Sequence, residues 1–224
     1  MDNQSVSQRL QAIYDRLFAV YGPQHWWPAR ERFEVIIGAI LTQSAAWTNV
    51  EKAMTNLRAA GAVSPAALRT LPRSEITKLI HPCGYYNAKA LKLKSFAGWM
   101  GERYQDNLDK LFGNGVDHLR EELLSVYGIG QETADSIMLY AGNKPIFVVD
   151  AYTRRIISRV GLGPERDSYN AYQAYFMAHL PPDYKLFNEY HALLVNLAKN
   201  VCRPEPHCKE CCLNDLCENS KSAH

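Results

Sequence analysis

The strongest constraint in this 224-residue chain is the stretch LLSVYGIGQETADSIMLYAGNKPIFVVDAYTRR, from Leu123 to Arg155. Its pattern predicts a helix ending near Val126, a tight hairpin Tyr127-Gly128-Ile129-Gly130, and a second helix from about Gln131 to Tyr140. Ala134, Ile137, Met138 and Ala141 fall at i, i+3, i+4 and i+7, which gives that second helix one apolar face. The paired glycines allow positive φ and leave no Cβ in the way of a close neighbour. The amides of Gly130, Gln131 and Glu132 then lie at a helix start, an arrangement suited to an anion such as phosphate. A plain helical corner whose glycines only make the bend fits the spacing as well. A dinucleotide loop fits poorly, because such loops follow a strand and the segment before Gly128 is helical in pattern. Further on, Lys144-Pro145 breaks the chain and Ile146 to Val149 form a short apolar run. Asp150 stands just ahead of another amphipathic helix carrying Ile156, Ile157 and Val160.

V-x-G-I-G followed about twenty residues later by V-V-D resembles the helix-hairpin-helix and catalytic aspartate signature of the endonuclease III superfamily of DNA glycosylases. The matched positions are Gly128, Gly130 and Asp150, and the likeness runs from Trp26 to Cys217 with its separate motifs in the family's order. It implies an all-α, two-lobed helix-hairpin-helix glycosylase fold. One lobe would be a six-helix barrel over residues 24–144. The other would join residues 1–23 to 145–224 and end in a [4Fe-4S] loop. The hairpin (Gly128, Gly130, Gln131, Thr133) would grip the DNA backbone through main-chain amides, with a monovalent cation at its carbonyls. Asp150 would be the catalytic carboxylate, and double-stranded DNA holding a damaged base would lie across the cleft.

Composition sets broad limits. Hydrophobic residues at 47% and charged residues at 21% suit a globular chain rather than a disordered one. No apolar run reaches membrane-span length and the start MDNQSVSQRL is unlike a signal peptide, so a cytoplasmic monomer is expected. A net charge of +2 means that any affinity for nucleic acid must come from a local patch.

The remaining motifs follow in order. Leu10, Ile13, Tyr14, Leu17, Phe18 and Tyr21 mark a first amphipathic helix, closed by Gly22-Pro23. Trp26-Trp27-Pro28 comes next, either as hydrophobic packing or as indoles that stack on a flipped, preferably cationic, base. Placed ahead of F-E-x-x-x-G-A-x-L-T-Q, it is similar to the 3-methyladenine glycosylase branch, which implies a base pocket at Trp26 and Trp27. Gln43 ends the following helix and matches the residue that enters the gap left by the extruded nucleotide. Thr48 to Glu51 has the form of a capping box, and Ser64 and Ser74 are expected to cap two short helices. His81 to Lys89 resembles the family's phosphate-approaching turn, with Tyr86, Asn87 and Lys89 at the contact. Lys92 and Lys94 add positive charge.

Five of the six cysteines crowd the tail with the spacing C-x5-C-x2-C-x5-C: Cys202, Cys208, Cys211 and Cys217, with Cys212 extra. Disulfides are not expected without an export signal. Spacing alone leaves zinc and iron–sulfur both open. The resemblance implies a [4Fe-4S] cluster on those four thiols, the first interval being one residue shorter than the family's. Arg203 and Lys209 beside it would face phosphate. Family members that nick DNA carry a lysine two residues after the second hairpin glycine, and here that residue is Glu132. A carboxylate cannot form an imine, so water is the expected nucleophile and Glu132 is assigned to the base pocket. The expectation is a monofunctional glycosylase without lyase activity that releases alkylated purines such as 3-methyladenine. A thymine or uracil mismatch glycosylase and a catalytically silent DNA-binding module stand as alternatives.

Overall fold

The computed structural model describes residues 5–27 and 31–221, and among these every regular element is helical. In chain order the helices are α1 (Val6–Tyr21), α2 (Arg32–Leu41), α3 (Trp47–Ala59), α4 (Pro65–Thr70), α5 (Arg73–Leu79), α6 (Tyr86–Tyr104), α7 (Leu108–Phe112), α8 (Val116–Ser125), α9 (Gln131–Ser136), α10 (Ala151–Val160), α11 (Tyr169–His179), α12 (Tyr184–Asn200) and α13 (Glu218–Lys221). The chain forms two compact units, Met1–Trp26 with Pro145–His224, and Trp27–Lys144. Among the described residues no helix is long and apolar enough to cross a membrane. Pro28 belongs to residues outside those described.

In the second unit, α2 is the central rod. Every residue from Phe33 to Leu41 is buried, as expected of a helix apolar on nearly all sides. Its one buried charge, Glu34, is met by Nε and Nη2 of Arg58 from α3, each at 2.9 Å. The lysines of α6 do something the sequence pattern did not suggest. Lys89 is 2% exposed, and its ammonium donates to the carbonyls of Leu41 at 3.0 Å and Cys83 at 2.8 Å. Lys94 donates to the carbonyls of Leu68, Arg69 and Leu71 at the end of α4. These are helix-terminal carbonyls without intrahelical partners, and an ammonium satisfies them. The expected phosphate contact by Lys89 is therefore corrected: its charge is turned inward to close two helix ends. Two cap expectations also fail. Helix α3 starts two residues early, behind Ala46 and without a side-chain cap, and α5 starts at Arg73 behind Pro72. Ser64 does cap α4, accepting from the Ala67 amide.

Helices α8 and α9 flank the hairpin and are tied by Arg120, which grips buried Asp135 at 2.7 and 3.1 Å. Past Ser136 the helix widens into a π-turn over Ile137–Ala141, with Gly142 N–H reaching back to the Ile137 carbonyl at 3.2 Å. Gly142 is needed there, since a Cβ would stand 2.5 Å from the Phe112 ring. Arg32 closes the turn by donating to the Ala141 carbonyl at 2.9 Å.

The first unit is built around aromatic rings. Phe147 stacks on Phe176 at 3.9 Å and meets the edges of Phe187 and Tyr190. The Tyr190 hydroxyl donates to the Leu10 carbonyl at 2.8 Å, joining α12 to α1.

Candidate active site

In the first unit, the apolar run Ile146–Val149 is fully buried and extended, which fixes the residue that follows it. Gln173 secures the run by donating to the Phe147 carbonyl at 2.7 Å. Asp150 is the N-cap of α10, its Oδ1 accepting from the Thr153 amide at 2.7 Å. Its Oδ2 lies 3.5 Å from Nε2 of His191, and the two side chains are 15% and 8% exposed. Burial by itself pushes the carboxyl pKa up, but His191 and the Thr153 amide outweigh it and hold the group below its ordinary value. Asp150 is thus an ionised carboxylate kept largely from water. Trp26 meets the His191 ring edge-on, with centroids 6.3 Å apart, and the Lys199 ammonium lies 5.9 Å from the Trp26 ring centre.

His191 escaped the sequence reading. It sits on the inward face of α12 among Tyr190, Leu194 and Leu197 and carries no motif. The only available signal was a lone histidine on an apolar stripe.

The second unit carries the hairpin. Gly128 has φ +80°, and a Cβ there would meet Lys92 Cγ at 2.3 Å, so glycine is obligatory. Gly130 differs: it is extended, with φ −92°, and nothing lies within 4 Å of where its Cβ would stand. Gln43 is fastened to this hairpin. Its Nε2 donates to the Gly128 carbonyl at 3.1 Å and to Thr133 Oγ1 at 2.9 Å, while Lys92 donates to its Oε1. The Thr133 side chain is thereby turned inward, and it is 7% exposed. The carbonyls of Gly128 and Gly130, candidates to hold a cation, already accept from Gln43 and from the Ala134 amide. Gln131 is half-buried and Glu132 exposed in the first turn of α9.

The two indoles part company at the unit boundary, because the backbone turns there: His25 and Trp27 both have positive φ. Trp27 stacks on Tyr140 at 5.1 Å and meets Trp47 edge-on at 5.5 Å. Together with Gly38, Glu34, Glu51 and Arg58 it borders a cavity of about 310 Å³. Trp26 thus has its ring partner in the first unit, and Trp27 has its ring partners in the second. Trp47, just ahead of the expected capping box, carried no signal in the sequence. Tyr86 stacks on His81 at 4.6 Å and Asn87 is exposed. The preceding Tyr85, also unforeseen, is 75% exposed with φ +44°, a strained conformation for an aromatic residue.

In the tail of the first unit, Cys202, Cys208, Cys211 and Cys217 line one small cavity with Arg159 and Asn214, and Cys212 is not among its walls. Arg159 donates to Cys202 Sγ at 3.4 Å, and Cys217 Sγ donates to the Arg159 carbonyl at 3.2 Å. Among the described residues no three His, Cys, Asp or Glu side chains converge on a single-ion position. Arg203 is exposed but folds back, its Nε donating to the Lys199 carbonyl at 3.0 Å. Lys209 is exposed.

Comparison with known proteins agrees with this geometry. A family model described as the HhH-GPD superfamily of base excision DNA repair proteins matches residues 37–182. MJ1434 of Methanocaldococcus jannaschii, provisionally named a DNA repair glycosylase, is 42% identical over 207 residues, spanning 92% of this chain and 94% of its own. Endonuclease III of Thermotoga maritima is 29% identical over 187 residues, 83% of this chain and 82% of its own. Among solved structures, H. pylori 3-methyladenine DNA glycosylase (MagIII) bound to 1,N6-ethenoadenine gives a TM-score of 0.76 at 25% identity, covering 88% of this chain and 98% of that one. A non-covalent endonuclease III–DNA complex gives a TM-score of 0.84 at 22% identity, covering 98% and 99%.

Proposed function

The chain belongs to the HhH-GPD superfamily of base excision DNA repair proteins, and from that premise we propose that it is a monofunctional DNA glycosylase, one that releases a damaged base and leaves the strand intact. The observation that carries this reading is Glu132, exposed in the first turn of α9 where lyase members of the family carry the imine-forming lysine. With no amine there, water is the nucleophile. The bond between C1′ and the base breaks, the base taking the electron pair. Asp150, ionised and shielded, stabilises the oxocarbenium-like sugar and orients the water that adds to C1′. The water's second proton passes to solvent or to the departing base. The hairpin amides hold the DNA backbone, and Gln43, fastened to Gly128, Thr133 and Lys92 in the free protein, lets go of them to fill the gap behind the flipped nucleotide. Cys202, Cys208, Cys211 and Cys217 fit a [4Fe-4S] cluster in donor type and in facing one cavity. Such a cluster staples the loop that carries Arg203 and Lys209.

For the base itself, alkylated purines such as 3-methyladenine are the first reading. It rests on the Trp26 indole beside the Asp150 group and on the likeness to MagIII, whose bound ligand is a modified adenine. One observation favours a second reading. Lys199 already lies over Trp26, and an ammonium there repels a cationic purine. The same charge stabilises a base that leaves as an anion, as uracil or thymine does. A panel of duplexes bearing methylated purines, G·U and G·T separates the two. Release of 3-methyladenine alone supports the first, and release of uracil or thymine alone supports the second. Tight DNA binding with no base release from any duplex would contradict the assignment as an enzyme.

A further inference from the structure

We infer that His191 is the positioning residue of Asp150, holding the carboxylate oxygen that the backbone amide at the start of α10 does not use. The inference rests on the reading of Asp150 as the catalytic carboxylate. A capping aspartate uses one oxygen on a backbone amide, here Oδ1 on Thr153 at 2.7 Å. The last side-chain torsion is broad and weakly restrained, so that one bond leaves the other oxygen loosely placed. That oxygen is the one facing Nε2 of His191, at 3.5 Å. The distance is longer than a good hydrogen bond, which is common at catalytic groups before substrate draws them together.

The surroundings argue against a merely space-filling histidine. His191 is 6% exposed on a helix face otherwise made of Phe187, Tyr190, Leu194 and Leu197. Burying an imidazole there is unfavourable unless its nitrogens are matched by polar groups. The ring is itself aimed, because Trp26 lies edge-on against it. Of the charged groups on the packed elements, Asp150 comes from α10 and faces the imidazole directly. Arg155, also on α10, is engaged with the carbonyls of Ala198 and Cys202. Lys199, further along α12, lies against the Trp26 ring. Trp26, His191 and Asp150 thus form a relay of orientation within one unit, from an indole at the site's edge to the carboxylate at its centre.

The test is a double-mutant cycle read by single-turnover base release. Binding to a duplex containing a tetrahydrofuran abasic analogue and thermal melting are measured alongside. His191→Phe keeps the ring and removes the nitrogen. It should slow the chemical step on the order of 10- to 100-fold, the effect of letting a reacting group drift by about an ångström. Affinity for the abasic duplex should stay within about threefold, so the defect appears in rate and not in binding. His191→Gln, whose amide nitrogen reaches the same place as Nε2, should recover most of the rate. On an Asp150→Asn background, His191→Phe should bring no further loss, since the residue acts only through the carboxylate. Losses that multiply in the double variant, or a His191→Gln enzyme as slow as His191→Phe with a parental melting point, would overturn the inference. Full activity in Asp150→Asn alone would instead overturn the reading of Asp150.

Discussion

Replacing Lys89 with methionine separates two accounts of the lysines in α6. The sequence places Lys89 in a phosphate-approaching turn. In the structure its ammonium is buried and donates to the carbonyls of Leu41 and Cys83, closing α2 and the short turn before α6. Methionine matches the stem in length and shape but leaves both carbonyls without their donor. Each stranded buried carbonyl costs about 1–3 kcal/mol. Against this, the variant no longer carries the desolvation of a buried ammonium, which offsets part of the loss; that burial also holds the Lys89 pKa below the ordinary lysine value. The net destabilisation should be about 2–4 kcal/mol. At roughly 2–4 °C per kcal/mol for a chain of this size, melting should fall by about 5–15 °C. The companion measurement is DNA affinity against salt concentration. A lysine that neutralises one phosphate contributes close to 0.9 to the slope of log K against log salt. For Lys89→Met the slope should not change, because the charge never reaches the surface. A variant that melts with the parent and loses about one unit of slope would refute the inward-facing role.

Four further outcomes follow from the same geometry. Asparagine caps helices as well as aspartate, so Asp150→Asn should nearly abolish base release, leaving a slow residual rate, with less loss of stability than Asp150→Ala, whose lost cap costs roughly 0.5–2 kcal/mol by thermal melting. Because its folded pKa lies below 3.8, the stability that Asp150 contributes is complete above that value and is lost only as pH falls through the lower folded one, which acid titration of the parent against Asp150→Asn will show. Purified protein should be yellow-brown with iron and sulfide; Cys211→Ser should lose the colour by absorbance and Cys212→Ser should keep it, since Cys212 lies off the shared cavity. Lys199→Met should raise the release of methylated purines relative to uracil in the same lesion panel, because it removes the cation lying over Trp26.

Much of the fold was legible because its signals are local. The glycine at Gly128 answers a positive φ, the apolar run Ile146–Val149 answers complete burial, and helical periodicity marks α1, α2 and α12. What escaped was set by partners distant in sequence. Lys89 looks like any exposed lysine until Leu41 and Cys83 arrive with unsatisfied carbonyls. Thr48 and Ser74 have the right residue types for caps, yet tertiary packing starts those helices elsewhere. The adjacency of Trp26 and Trp27 does not tell which rings each one meets: His191 for Trp26, and Tyr140 and Trp47 for Trp27. His191 lies 41 positions after Asp150, so no motif spacing joins them (191 minus 150).

The central claim is that water, directed by Asp150, breaks the glycosidic bond with no enzyme amine attached to the sugar. It is tested most directly with a strand-labelled duplex carrying the base that the lesion panel identifies, incubated with and without borohydride. The account predicts base release with full-length strands that break only on alkali treatment, and no covalent protein–DNA complex after reduction. A borohydride-trapped complex formed at the rate of base release, with strands nicked before alkali, would contradict it.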